Sequence, residues 1–239
     1  MKLSKRSQSG FTLVEIAIVL VIIGLLLGGV LKGQQMIENS RIKSILTAFN
    51  GVSSAYNSYQ DRYQSLPGDE LLSTLQARGW TGAAPGLNVT LAGNGDGVFE
   101  EAVADTFLDA GVAGATEQGS MWQVLRAAGF LAGDPSAVAL AALPITATGG
   151  LIGMAQSPYG MAGTSVCASA LTTNQASGVD TLIDGSTNNV NGNNIGSARG
   201  TNYVLGAAPV VSAATPASLA YNVTAAATAN TPWIICKTL

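Results

Sequence analysis

An acid inside an apolar run is the residue of this sequence most loaded with chemistry. Glu15 is the one charged residue between Phe11 and Leu31. A carboxylate in a segment of membrane length is costly to bury, so it marks a functional position. Its own helix offers no cationic partner nearby. A cut after Gly10 would create one, because Phe11 would then carry a free amine four residues before Glu15. A neighbouring helix displaced along its axis could set its own Phe11 amine against this Glu15, so that the carboxylate is paired only on assembly. The competing reading keeps Glu15 close enough to the membrane interface to stay hydrated or protonated.

Other reactive groups are few. The chain has no histidine, which removes the commonest general base, the Ser-His and Cys-His arrangements, and most zinc chemistry. Cys167 and Cys236 are the only cysteines. In an exported chain such a pair reads as one disulfide in an oxidising compartment; two reduced, buried thiols are the alternative. Gly93-Asn94-Gly95-Asp96-Gly97-Val98-Phe99-Glu100-Glu101 is a polar turn followed by acids. Oxygen ligands at alternate positions suit calcium, with Asn94, Asp96, Glu100 and Glu101 as candidates. An EF-hand register on Asp96-Gly97 would need acids where Ala92 and Val103 stand, and a plain glycine turn competes with it. Asp180 and Asp184 form a possible acid pair. With no general base to partner them, they are expected to be two solvated acids rather than a catalytic site.

The elements that position these residues follow from composition and pattern. Charged residues make up only 10% of the 239, with a net charge of −3. Nucleic-acid binders and charged disordered tails need far more charge, so no nucleic-acid partner is expected. Lys2, Lys5 and Arg6 cluster ahead of the apolar run, which places the first residues in the cytoplasm and exports the rest. The run from Phe11 to Leu31 reaches roughly 30 Å as a helix, the thickness of a bilayer core. Gly28-Gly29-Val30-Leu31-Lys32-Gly33 is a poor secretory cleavage site. A lipoprotein would need a cysteine there, and a plain signal anchor leaves Glu15 unexplained.

Ser9-Gly10-Phe11-Thr12-Leu13-Val14-Glu15, preceded by Lys and Arg and followed by the apolar run, resembles the processing site of type IV prepilins and type II secretion pseudopilins. The resemblance implies cleavage after Gly10 by a membrane prepilin peptidase, N-methylation of Phe11, and a structural, non-enzymatic role. The implied partners are the peptidase, other pilin subunits, the pilus or type II secretion assembly machinery and the bacterial inner membrane. Many relatives carry a proline within the run; this chain has none before Pro67. Gly24, Gly28, Gly29 and Gly33 supply weakness there instead, each costing about 1 kcal/mol of helix stability against Ala.

Beyond Lys32 the pattern turns one-sided. Ile42, Ile45, Phe49, Val52, Tyr56, Tyr59 and Tyr63 recur at alternating spacings of three and four residues, one stripe of a helix that ends at Leu66-Pro67-Gly68-Asp69. A helix from Phe11 to about Tyr63 would run roughly 80 Å. Asp69 is expected to cap a short helix over 70–78, and 117–131 to form another with Met121, Trp122 and Leu125 inward. From Pro144 the chain breaks into short β-prone runs at 144–148, 151–156, 164–168, 202–205, 208–212, 219–223 and 233–237, with a short helix at 178–185. Tyr63-Gln64-Ser65-Leu66-Pro67-Gly68-Asp69 and the Glu117–Phe130 segment resemble large-headed pilin-like proteins. The domain reading is a leader at 1–10, a membrane or filament-core helix at 11–33, its amphipathic half at 34–63 and a head at 64–239. The fold class is α+β, a type IV pilin fold with a long N-terminal helix against an antiparallel sheet. A Cys167–Cys236 bond tying the last strand to the sheet is similar to the C-terminal loop of type IV pilins.

Overall fold

The computed structural model describes residues 12–82, 87–99, 117–185, 196–203 and 231–239. Gly10, Phe11, Glu100, Glu101 and the strands expected at 208–212 and 219–223 lie outside the described residues. The main elements are helices α1 (Leu13–Tyr63), α2 (Leu72–Ala77), α3 (Glu117–Ala127) and α4 (Thr173–Asp184). The strands are β1 (Ile152–Gln156), β2 (Thr164–Leu171), β3 (Ala198–Asn202) and β4 (Trp233–Thr238). The chain divides into two compact units, Met1–Ser40 and Arg41–Leu239.

In the first unit α1 is apolar on all sides from Ile16 to Leu31, and Leu13 to Leu31 expose their side chains around the whole circumference. Among the described residues it is the one helix long and apolar enough to cross a membrane. It runs without a break through Gly24, Gly28, Gly29 and Gly33.

The second unit is built on the one-sided part of the same helix. Ile42, Ile45, Phe49, Val52, Ala55, Tyr56 and Tyr59 are buried, and Tyr63 is half-buried, while Lys43, Asn50, Asn57 and Asp61 stay exposed. The stripe shares a core with one face of a four-stranded antiparallel sheet of order β1-β2-β4-β3. Met154, Val166, Ala168 and Ile235 belong to that face. The alternate residues Ala155, Cys167, Ile234 and Cys236 pack on the other side with Tyr159 and Met161. Successive side chains of a strand point to opposite faces, and both faces are covered, which is why Trp233-Ile234-Ile235-Cys236 reads as an unbroken apolar run. α4 also comes against α1: a side chain at Gly178 would strike Ile42. Trp122, Met121 and Leu125 of α3 are fully buried in the same core.

Several boundaries differ from the sequence reading for local reasons. α2 is shorter than 70–78 because Asp69 does not cap it; Leu71 is its N-cap, without a side-chain bond, and the Asp69 carboxylate is engaged elsewhere. α4 begins at Thr173 rather than 178 because Thr172 and Gln175 close a reciprocal capping box. The segment 144–148 contributes only the isolated bridge Ile145↔Leu151, and β3 starts at Ala198, ahead of the run expected at 202–205. Cys167 and Cys236 stand directly opposite each other in the β2/β4 register and are joined by a disulfide.

The bond closes a separation of 69 residues, worth about 4 kcal/mol in the chain-entropy account. Cys236→Ser is therefore expected to lower the melting temperature of the folded head and make it protease-sensitive. Protein unfolded in denaturant without reductant should take up no thiol label; labelling of both cysteines would refute the bond.

Candidate functional site

Glu15 lies in the first turn of α1, and its neighbour Thr12 is the residue that the sequence reading passed over. The Thr12 amide donates to Glu15 Oε2 at 2.8 Å, the Thr12 hydroxyl donates to the same oxygen at 2.9 Å, and the Glu15 amide donates back to Thr12 Oγ1 at 3.2 Å. These are the reciprocal bonds of a capping box, with Thr12 as N-cap and Glu15 three residues on. The T-x-x-E spacing was its signal. Glu15 is thus hydrogen-bonded within its own chain. Both neutral donors reach Oε2 alone and do not neutralise the charge, so a cation would still be favoured beside the carboxylate in a low-dielectric surrounding.

The glycine-rich loop carries the second cluster. Asp69 Oδ1 accepts from the amides of Gly95 (2.9 Å) and Asp96 (3.1 Å), and Oδ2 from that of Gly97 (2.9 Å). Gly95 and Gly97 adopt φ of 77° and 84°, a region that disfavours side chains. Asp96 Oδ2 accepts from Asn94 Nδ2, and Glu117 Oε1 accepts from the Asn94 amide. Asp69, Asp96 and Glu117 each offer an oxygen within 4.8 Å of the others; Asp69 and Glu117 are buried and Asp96 is exposed. Of the ligands expected from sequence, Asn94 and Asp96 reach this cluster. Asp69 and Glu117 were missed because they sit far along the chain from the loop. Each stood in a segment already singled out, Leu-Pro-Gly-Asp and Glu117–Phe130, with nothing in the spacing to link them. One consequence is plain: Asp69 holds the loop by its backbone, which accounts for its absence from the α2 cap.

Beyond α2, Arg78 forms a two-pronged ion pair with buried Glu70, and the Tyr59 hydroxyl donates to Glu70 Oε2. Burial pushes the Tyr59 phenol far above its ordinary range, and the adjacent Glu70 carboxylate pushes it the same way. The Arg78 guanidinium lies 4.3 Å from the Tyr63 ring centroid and 5.1 Å from that of Trp80, in contact with both π faces. The network ties Tyr59 near the end of α1 to the two residues that flank α2, Glu70 and Arg78.

Asp180 departs from the expectation of two solvated acids. It is 7% exposed, and its Oδ1 has no hydrogen-bond partner among the described residues. Asp184 is exposed, and its two oxygens accept from the amides of Ser197 (3.0 Å) and Ala198 (2.8 Å), fixing the entry to β3. Burial first, and then the charge of Asp184, raise the Asp180 carboxyl to about 7.

An apolar helix with an acid in its first turn, together with an α+β head carrying an antiparallel sheet, matches the pilin fold. The comparison with known families agrees. Residues 5–31 match the family described as Prokaryotic N-terminal methylation motif, and the chain carries a prepilin N-terminus of the type IV pilin and pseudopilin kind. No curated protein and no solved structure matches the chain.

The Asp180 environment carries a pH signature. Its folded value lies above the unfolded one of 3.8, so its contribution to stability is complete below about pH 4. It is lost as pH rises toward 7 and is constant above that. Asp180→Asn removes this dependence. It is expected to exceed wild type in unfolding free energy by roughly 1–3 kcal/mol at pH 8 and to converge with it near pH 4. Parallel denaturation curves across the range would show that Asp180 is hydrated in the folded head.

Proposed function

We propose that this chain is a structural subunit of a type IV pilus-like filament, made as a precursor, cut after Gly10 and N-methylated at Phe11. The observation that carries the reading is the methylation-motif match over residues 5–31, with Glu15 bonded to Thr12 at the head of a membrane-length helix. In the bilayer the Thr12 donors occupy the carboxylate. On assembly the Phe11 amine of a neighbouring subunit supplies the missing positive charge, and that charge-assisted contact sets the axial register. The precursor sits in the bacterial inner membrane with its N-terminus in the cytoplasm, as Lys2, Lys5 and Arg6 direct. A prepilin peptidase processes it, and pilus assembly machinery extracts it into a periplasmic or extracellular polymer with other pilin subunits. A type II secretion pseudopilus is the alternative setting. The Cys167–Cys236 bond and the long head count toward a pilus. The role is structural, with no catalytic step assigned to the head.

Calcium belongs to the same proposal as a support of the head. Asn94, Asp96, Glu100 and Glu101 are the candidate ligands from the sequence, and Asp69 and Glu117, which lie close to Asp96, are further oxygen donors among the described residues. Chelation is expected to lower the melting temperature of the head, and calcium to restore it; coincident melting curves would retire the idea.

The filament reading predicts a mature chain that begins with N-methylated Phe11, visible in the N-terminal peptide mass. It also predicts that Glu15→Gln inserts and is cleaved like wild type, because the apolar run and basic flank that drive insertion are unchanged. The variant should be depleted in sheared filaments at equal expression. Incorporation at the wild-type level would remove Glu15 from assembly, and an intact Met1 in assembled protein would refute processing.

A further inference from the structure

The end of α1, α2 and the glycine-rich loop enclose an open cleft of about 740 Å³, within the usual size of ligand sites. Its permanent charges are mostly committed inside the protein. Arg78 is paired with Glu70, and the Asp69 carboxylate is held by three backbone amides. What faces the cleft unengaged is a different set. Among the described residues, the Gln60 side-chain amide, the Asp61 carboxylate and the Thr74 hydroxyl have no hydrogen-bond partner. Gln64 adds a third element. It holds φ at 54°, a conformation in which glycine is ordinarily preferred at a helix end. Its Nε2 donates to the Asp61 carbonyl oxygen at 2.9 Å, and its Oε1 is left without a partner among the described residues. Leu71, 48% exposed, supplies an apolar wall.

From this set we infer that the cleft is a binding site for a neutral oligosaccharide. Amides and a hydroxyl both donate and accept, and a carboxylate accepts two bonds, which matches the vicinal hydroxyl groups of a sugar. The leucine wall suits the C–H face of the ring. An anionic ligand would meet Asp61 with no uncommitted cation to receive it, because Arg78 is already paired. A basic peptide would find Asp61 as the one acid of the lining not already engaged, since Glu70 is paired with Arg78 and Asp69 is held by three backbone amides. The strained backbone at Gln64 fits a residue retained for its side chain, since glycine would relieve the conformation and remove the amide. The inference concerns the head alone and is independent of polymerisation.

The test titrates full-length protein in detergent micelles with tagged neutral di- to tetrasaccharides of hexose and N-acetylhexosamine. A sialylated trisaccharide and short acidic and basic peptides serve as counter-probes. At least one neutral oligosaccharide is expected to bind with an affinity unchanged by added salt. Asp61→Asn and Thr74→Val should each weaken it about tenfold without lowering the melting temperature. Gln64→Gly should keep or raise the melting temperature while weakening binding, a combination that a purely structural role does not produce. Absence of binding by every neutral probe overturns the proposal. So does binding of the charged sugar or a peptide in their place, or an affinity that none of the three variants changes.

Discussion

One helix meeting two surroundings is the constraint on which the rest of this molecule depends. From Leu13 to Leu31 α1 is exposed around its whole circumference and, Glu15 apart, carries no charged side chain. In the second unit, the apolar residues contract to a stripe from Ile42 to Tyr59, and the opposite side becomes Lys, Asn and Asp. A helix apolar on all sides requires lipid or other helices; a one-sided helix requires a single covering layer. The sheet and α3 are that layer. Both faces of the sheet are buried, so β4 can be apolar at four consecutive positions, Trp233 to Cys236, rather than at alternate ones.

The carboxylates show how a chain poor in charge handles the acids it keeps. Asp69 is satisfied by three backbone amides of a glycine-rich loop, whose close approach leaves no room for a side chain at Gly93. Glu70 is satisfied by Arg78 and a tyrosine hydroxyl. Glu15 is satisfied by Thr12 within one helical turn. Asp180 has a lone oxygen and a neighbouring acid, and its proton affinity rises accordingly. Hydrogen bonds, counter-charge and protonation are the three responses available to a carboxylate withdrawn from water, and this chain uses all of them.

The Glu15 contact also changes the meaning of the acid in the apolar run. A bare carboxylate in lipid would oppose insertion of the subunit. Closed onto Thr12, it is partly solvated by its own helix through Oε2, and the demand that survives is for a counter-charge and for donors to Oε1. That is a demand a neighbouring amine can meet and a neutral donor cannot.

What the sequence by itself determined is everything written in contiguous or periodic form. The cleavage motif with Glu15, the apolar run, the stripe from Ile42 to Tyr63, the cysteine pair and the strands near 152–156, 164–168 and 233–237 all follow from neighbours along the chain. Helices and strands impose short periods that a reader can count. Even the capping boxes at Thr12 and Thr172 were written there, each as a hydroxyl residue followed three positions later by an acid or amide. The tertiary structure alone decided which distant residues share a place. Asp69, Asp96 and Glu117 converge, Arg78 is paired with Glu70, Asp180 is buried, and Gln60, Asp61, Gln64 and Thr74 open onto one cleft. No periodicity encodes those meetings, because they arise from how one element lies across another, and that is set by the packing of the whole core.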